Sequence, residues 1–328
     1  MVLWDLLSSS VKGVAKQYSQ DSFIAHRIGD GQAVVLAVAD GHGSKTHHRS
    51  DLGSRWAVEA FAACAEVFAA EALEKGEAPE TWPSLLASAR SMSRRVVDRW
   101  RERALLHDSN SPAAGGLPAT AASTPGGGPA VPDVRPYGST LLGAVITGRL
   151  LVCWRLGDGD IVLIPPKGTP KAVLHDGPDL GDETHSLCEP QARWLMRVHW
   201  QPFTGEGPPP AVLLSTDGLS KSFAEYRGFI DFARGLGDRV ATHGLSAVQD
   251  QLEDWLTRAA SYSGDDTTLV GTFPSPRQGP AAVEPPPGGP PKPHHSPPGV
   301  GSTGPPLPGD DPGIFRRPTK FDRRGTAP

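Results

Sequence analysis

Residues 32–43 read Gln-Ala-Val-Val-Leu-Ala-Val-Ala-Asp-Gly-His-Gly, an apolar run that ends abruptly in polar residues. Its first eight residues have the composition of a buried β-strand. The strand would end at Asp40, so that a carboxylate, the backbone carbonyl of Gly41 and the imidazole of His42 are presented together. Glycine lets the backbone approach a ligand closely. The stretch therefore predicts a functional site at the end of a core strand.

Other aspartates stand in similar places along the chain. A second apolar run at 211–214 leads to Asp217, just before a helix-like segment. Asp265 instead precedes a strand-like run at 267–273, which predicts that this strand is an antiparallel neighbour of the other two. Carboxylates that converge at strand ends repel one another unless a cation lies between them. The pattern favours a site for a hard metal ion.

Six short motifs carry a resemblance to a known family. The set resembles the bacterial form of the type 2C metal-dependent protein serine/threonine phosphatases, the PPM family, over about residues 10–273. Each motif alone is ordinary turn chemistry, but six in the family's order are specific. In chain order they are Gln20-Asp21-Ser22, Asp40-Gly41-His42-Gly43, Gly138-Ser139-Thr140, Gly157-Asp158-Gly159-Asp160, Ser215-Thr216-Asp217-Gly218-Leu219 and Asp265-Asp266-Thr267-Thr268.

The resemblance implies a metal site residue by residue. Asp40 would bridge two Mn²⁺ or Mg²⁺ ions, and the carbonyl of Gly41 would bind the second. Asp217 and Asp265 would be the remaining protein ligands of the first ion. Asp21 would lie in or just outside the coordination shell of the second. The implied reaction is hydrolysis of phosphoserine and phosphothreonine through direct attack by a hydroxide held between the two ions.

Three positions have an expected role beside a plainer alternative. His42 corresponds to the family's acid for the departing oxygen, or is a hydrogen-bonded surface histidine. Asp158 corresponds to a ligand of a third, weaker ion, although Gly159 and Asp160 replace the usual serine and arginine. That change either strengthens cation binding or forms only a tight turn, and Asp160 is predicted to be solvated.

Lys16 stands where many members have a phosphate-binding arginine. It either orients phosphate as a point charge or is solvated.

Periodicity alone predicts a mixture of helices and strands. The resemblance implies an α+β fold, a four-layer α-β-β-α sandwich of two mainly antiparallel sheets flanked by helices. Helices are predicted at 52–73, 82–106, 219–235 and 245–262, and strands at 137–148, 149–156, 160–164, 193–200 and 211–215.

The motifs must meet in one site, which predicts one phosphatase domain at 1–273. Within it, residues 108–136 are rich in Ala, Gly and Pro and are expected to form a flexible surface loop. Residues 274–328 contain half of the chain's 34 prolines and are predicted to be disordered. This tail either docks on a polyproline-reading partner or is a solubilising tether.

Composition narrows the partners and the compartment. A net charge of −4 excludes a strongly basic nucleic-acid surface, and no apolar run reaches the roughly 18 residues of a membrane span. An odd number of distant cysteines and no convincing secretory signal favour the cytoplasm.

The expected substrates are phosphoproteins produced by a serine/threonine kinase. The alternative is a catalytically weak phosphoprotein-binding or scaffolding protein, but the complete set Asp40, Asp217 and Asp265 favours the enzyme.

Overall fold

A computed structural model describes residues 2–76, 78–110, 133–175, 184–204 and 207–275. Within these residues, no helix has both the length and the apolar character needed to cross a bilayer. The strands are β1 (Trp4–Val11), β2 (Asp21–Ile28), β3 (Ala33–Asp40), β4 (Leu141–Thr147), β5 (Leu150–Leu156), β6 (Asp160–Ile164), β7 (Lys171–Val173), β8 (Arg197–Pro202), β9 (Ala211–Ser215) and β10 (Thr267–Pro274). The helices are α1 (Ser50–Glu74), α2 (Trp82–Asn110), α3 (Ala192–Leu195), α4 (Asp217–Ser220), α5 (Tyr226–His243) and α6 (Leu245–Ser263).

The strands form two antiparallel sheets. One has the order β1-β10-β9-β6-β7 and the other the order β2-β3-β4-β5-β8. Alternation along β3 shows how the layers stack: Val34, Leu36 and Val38 pack against the other sheet, whereas Val35 and Ala37 pack under α1 and α2. Helices α5 and α6 cover the outer face of the first sheet. The four-layer α-β-β-α sandwich is confirmed.

Large side chains lock α1 and α2 onto the second sheet. Trp154 of β5 meets Phe61 and Phe68 of α1 edge to face, with ring centroids 5.5 and 5.7 Å apart. Its indole N–H donates to the Ala89 carbonyl of α2 at 2.9 Å. Gly143 of β4 lies beneath Phe61, where a Cβ would come within 2.2 Å of the ring. This close packing fixes the sheet whose β3 ends at Asp40.

Three sequence predictions are wrong in detail. The strand predicted at 193–200 begins only at Arg197, because the preceding residues form α3, whose Trp194 is largely exposed and breaks the alternation. The helix predicted at 219–235 is two helices, since the chain turns at the buried Phe223 between α4 and α5. Strand β10 pairs with β9 but not with β3, which lies in the other sheet.

Two expectations fall mostly outside the described residues. Of the loop expected at 108–136, residues 108–110 continue α2 and residues 133–136 lead into a short 3₁₀ turn; residues 111–132 are not described. The tail from residue 276 onward is likewise not described.

Candidate metal centre

Three carboxylates from distant parts of the chain converge where the two sheets meet. Asp40 ends β3, Asp217 begins α4 just after β9, and Asp265 lies two residues before the start of β10. Each offers an oxygen within 4.8 Å of the other two. The tight turn after β9 depends on Gly218, because a Cβ there would lie 2.0 Å from the Asp266 carbonyl oxygen. The three acids named from the sequence are therefore brought together.

Asp21 lies beside this group and is held by hydroxyls. It pairs in register with Asp40 across β2 and β3. Its Oδ2 accepts hydrogen bonds from Thr216 Oγ1 at 2.8 Å and Thr268 Oγ1 at 2.7 Å. Its Oδ1 is buried and has no hydrogen-bond partner in the described part of the chain. Asp21 therefore lines one side of the acidic cluster, the name used here for Asp40, Asp217, Asp265 and Asp21.

The end of β3 is fixed by backbone contacts. The Asp40 N–H donates to Thr140 Oγ1 at 2.9 Å, and the Asp40 carbonyl accepts the Thr140 N–H at 2.8 Å. The Gly41 N–H donates to the Gln20 carbonyl at 3.1 Å. A Cβ on Gly41 would lie 2.5 Å from the Ser50 carbonyl oxygen, so only glycine fits. These contacts set the position of the Gly41 carbonyl next to Asp40.

The electrostatics of the cluster favour a bound cation. Burial, followed by the charge of Asp158, raises the pKa of Asp217 to about 8. Burial, followed by the charge of Asp21, raises the pKa of Asp40 well above its usual range. Among the described residues, the buried Asp217 Oδ1 has no hydrogen-bond partner. Carboxylates that repel one another, with one buried oxygen that lacks a donor, fit a hard divalent ion.

Lys16 contacts the cluster through its ammonium group. Its Nζ pairs with Asp265 and lies 3.3 Å from Asp266 Oδ2. Asp266 is buried and also accepts the backbone N–H of Gly13 at 2.8 Å and of Gln20 at 2.7 Å. The loop that carries Lys16 is therefore tied to the entrance of β10. Lys16 therefore contacts the acidic cluster and is not a solvated residue, since only 22% of its side chain is exposed.

Asp158 lies outside the group of three acids and is joined to it by a lysine. Its Oδ2 accepts a hydrogen bond from Thr184 Oγ1 at 2.9 Å and lies 3.4 Å from Lys221 Nζ. The same Nζ pairs with Asp217 Oδ2. Burial raises the pKa of Asp158, but the Asp217 hydrogen bond and the Lys221 charge outweigh it and lower that pKa overall.

The prediction that Asp160 is solvated is wrong. Only 4% of this residue is exposed. Its Oδ1 accepts the Tyr226 hydroxyl at 2.8 Å and lies 3.5 Å from His175 Nδ1. The physical reason is that the turn ends at Gly159, so that Asp160 already belongs to β6 and pairs with Ser215 of β9. Asp160 supports the sheet and contributes nothing to the acidic cluster.

His42 follows the cluster on the same segment. Its backbone N–H donates to the Gly138 carbonyl at 3.1 Å, and its ring centroid lies 5.0 Å from that of His47. Burial, followed by the charge of His47, lowers the pKa of His42. The imidazole is therefore a partly enclosed group and not a free surface histidine.

The comparison that decides the family covers most of the chain. The sequence model of protein phosphatase 2C matches residues 13–257. The chain belongs to the protein phosphatase 2C family. The matched range includes Asp21, Asp40, Asp158 and Asp217, and ends before Asp265. Family membership assigns the chain a phosphatase fold and supports dependence on a divalent metal ion.

Solved structures agree with the protein phosphatase 2C assignment at the level of the fold. PppA, described as a key regulatory component of T6SS in Pseudomonas aeruginosa, is 17% identical with a TM-score of 0.50, covering 83% of this chain and 98% of PppA. The Mycobacterium tuberculosis serine/threonine phosphatase PstP/Ppp is 16% identical with a TM-score of 0.50 and the same coverage. A bacterial serine phosphatase is 15% identical with a TM-score of 0.52, covering 82% of this chain and 96% of its own. No curated protein sequence matches significantly.

Sequence reasoning missed two residues of this protein phosphatase 2C site. Asp266 anchors the loop of Lys16, and the doubled aspartate at 265–266 was the available signal. Lys221 bridges Asp217 and Asp158 but carries no distinctive sequence signal, since a lysine four residues after an aspartate on a helix is usually a solvated partner.

Proposed function

We propose that this protein phosphatase 2C family member hydrolyses phosphoserine and phosphothreonine in proteins, using two Mn²⁺ or Mg²⁺ ions. Asp40, the Gly41 carbonyl, Asp217 and Asp265 would hold the ions, with Asp21 at the edge of the site. The observation that carries the proposal is the convergence of three carboxylates from separate elements, one of them with a buried oxygen that has no donor among the described residues. Such a site fits metal-assisted transfer of phosphate to water.

Bound ions would supply activated water and offset negative charge on the phosphoryl group. The chain's own residues hold the metal-binding and reacting groups in position. Thr216 and Thr268 orient the Asp21 carboxylate, and the Thr140 contacts fix the end of β3. His42, two residues after Asp40, would donate a proton to the departing serine or threonine oxygen.

Lys16 would bind the phosphate of the substrate. Its ammonium lies against Asp265 at the edge of the cluster, so that a phosphate at the metal site comes within reach of the same charge. A lysine gives a point charge without the two-pronged geometry of arginine. The contact with Asp265 supports this role over that of a solvated residue.

The proposed substrates are phosphoproteins made by a serine/threonine kinase in the same cytoplasm. The proline-rich tail is proposed as a tether that could also dock on a polyproline-reading partner. The other candidate function is a catalytically weak phosphoprotein-binding or scaffolding protein. It is favoured by the two lysines that already pair with Asp265 and Asp217.

An assay on matched peptides tests the proposal. The full chain should release phosphate from phosphothreonine and phosphoserine peptides with Mn²⁺ and stop when a chelator is added. Asp217→Asn should lose activity, whereas Asp250→Asn, on the exposed face of α6, should keep it. Acid-quenched reactions should contain no phosphorylated chain, because attack by water is direct. Peptide binding without any phosphate release would support the scaffolding function instead.

A further inference from the structure

We infer that Lys221 supplies, from the chain itself, the positive charge that a third divalent ion would supply between Asp217 and Asp158. The site would then hold two ions and not three. This inference rests on the proposed function, because it concerns the same acidic cluster. It replaces the expectation that Asp158 binds a third, weaker ion.

The backbone of Lys221 is held in place, although 59% of its side chain is exposed. Lys221 follows the last residue of α4, and its N–H donates to the Asp217 carbonyl at 2.8 Å. Its neighbour Ser222 is fully buried, so the main chain has little room to move at this point. The side chain therefore starts one helical turn from Asp217 and reaches back over its carboxylate.

The two oxygens of Asp217 have different surroundings. Oδ2 pairs with Lys221, whereas Oδ1 is buried and has no partner among the described residues. An ion held together with Asp40 and Asp265 can therefore use Oδ1 without displacing the lysine. The Lys221 contact is compatible with the two proposed ions.

The Oδ2 atom of Asp158 is already used by two partners. It receives the Thr184 hydroxyl at 2.9 Å and lies 3.4 Å from Lys221 Nζ. A divalent ion placed between Asp158 and Asp217 would have to displace an ammonium from the oxygens it needs. Because like charges repel strongly at such distances, the resident lysine excludes the ion. The donor set around Asp158 thus does not fit a third metal.

Lys16 is arranged differently and does not play this part. Its ammonium contacts Asp265 and Asp266, and Asp266 is not one of the three converging acids. Among the described side chains, Lys221 is the cation that contacts both Asp217 and Asp158. The exclusion of a third ion is therefore assigned to Lys221 alone.

Counting bound Mn²⁺ tests the inference without measuring activity. Equilibrium dialysis, with free Mn²⁺ measured by electron paramagnetic resonance, should give two ions for the full native chain and for Lys171→Met, an exposed control in β7. Lys221→Met should gain a third ion, and Lys221→Met combined with Asp158→Asn should return to two. Lys221→Arg keeps the charge and should stay at two.

Either of two results would overturn this inference without contradicting the proposed function. One is a native chain that binds three ions and loses one in Asp158→Asn. The other is Lys221→Met that still binds two. If Lys221→Met does not fold, the native chain against Asp158→Asn still decides, since both should bind two ions. A native chain that binds no Mn²⁺ would contradict the proposed function and remove the site on which the inference rests.

Discussion

Asp266 accepts the backbone N–H of Gln20 through a 2.7 Å hydrogen bond, which ties the loop before β2 to the entrance of β10. The same carboxylate accepts the Gly13 N–H and contacts Lys16. One buried side chain therefore sets the position of the loop that carries the proposed phosphate-binding lysine. It also fixes the residue that directly precedes Asp21.

Replacing Asp266 should weaken the fold and the site together. Asp266→Ala leaves two buried N–H groups without acceptors, so we expect a loss of about 2–4 kcal/mol in the free energy of unfolding. Asp266→Asn keeps one acceptor oxygen and should cost less. Urea unfolding measures the difference, with the exposed Asp254→Ala as control. Equal stability of Asp266→Ala and the native chain would show that the two hydrogen bonds to Asp266 contribute nothing to the free energy of unfolding.

Asp40→Asn should make the metal-free protein more stable. Asp40 is buried and faces Asp21, Asp217 and Asp265, so removing its charge relieves both the cost of burial and this repulsion. We expect a gain of about 1 kcal/mol in chelator, and little stabilisation by Mn²⁺, which should clearly raise the melting temperature of the native chain. Thermal melts with and without Mn²⁺ measure both effects. A variant destabilised in chelator yet still stabilised by Mn²⁺ would contradict the electrostatic account.

Lys16→Ala should raise KM for a phosphopeptide by about three- to tenfold, the loss of one modest charge contact. Lys16→Arg restores the charge and should recover the lower KM. Steady-state kinetics at saturating Mn²⁺ give the values, with the exposed Lys171→Ala, at the first residue of β7, as a control. Unchanged kinetics in Lys16→Ala would show that Lys16 pairs with Asp265 and Asp266 but does not bind the phosphate.

A chain that ends at Ser275 should keep its activity on short peptides. The N–H of Ser275 donates to the Leu3 carbonyl at 2.8 Å, so this end point leaves β10 fully paired with β1. We expect kcat/KM within about twofold of the full chain, because a tether does not shape the site. A large loss would show that the proline-rich segment takes part in catalysis.

The strand that ends at Asp40 could be predicted because its signal is local. An apolar run followed by Asp-Gly-His-Gly shows both the core strand and its end. The layer arrangement needed the resemblance, since period-2 alternation cannot tell which sheet a strand joins. That is why β10 was expected beside β3, although it pairs with β9.

Side-chain partners were the part that sequence could not supply. Asp160 looked like a turn residue because nothing local reveals that Tyr226, from α5, lies above it. Lys221 has no local signal either, because its role depends on Asp158, 63 residues away in the chain. Contacts between distant segments decide both cases, and these follow only from the packed sheets.

The central claim is that the converging acids Asp40, Asp217 and Asp265 bind the ions that drive phosphate ester hydrolysis. Phosphate release from a phosphothreonine peptide, measured against Mn²⁺ concentration for the native chain and for Asp40→Asn, tests it most directly. For the native chain, the rate should be zero in chelator and should rise to saturation with Mn²⁺; for Asp40→Asn, it should not rise. Hydrolysis that is equally fast in chelator, or equally fast in Asp40→Asn, would contradict it.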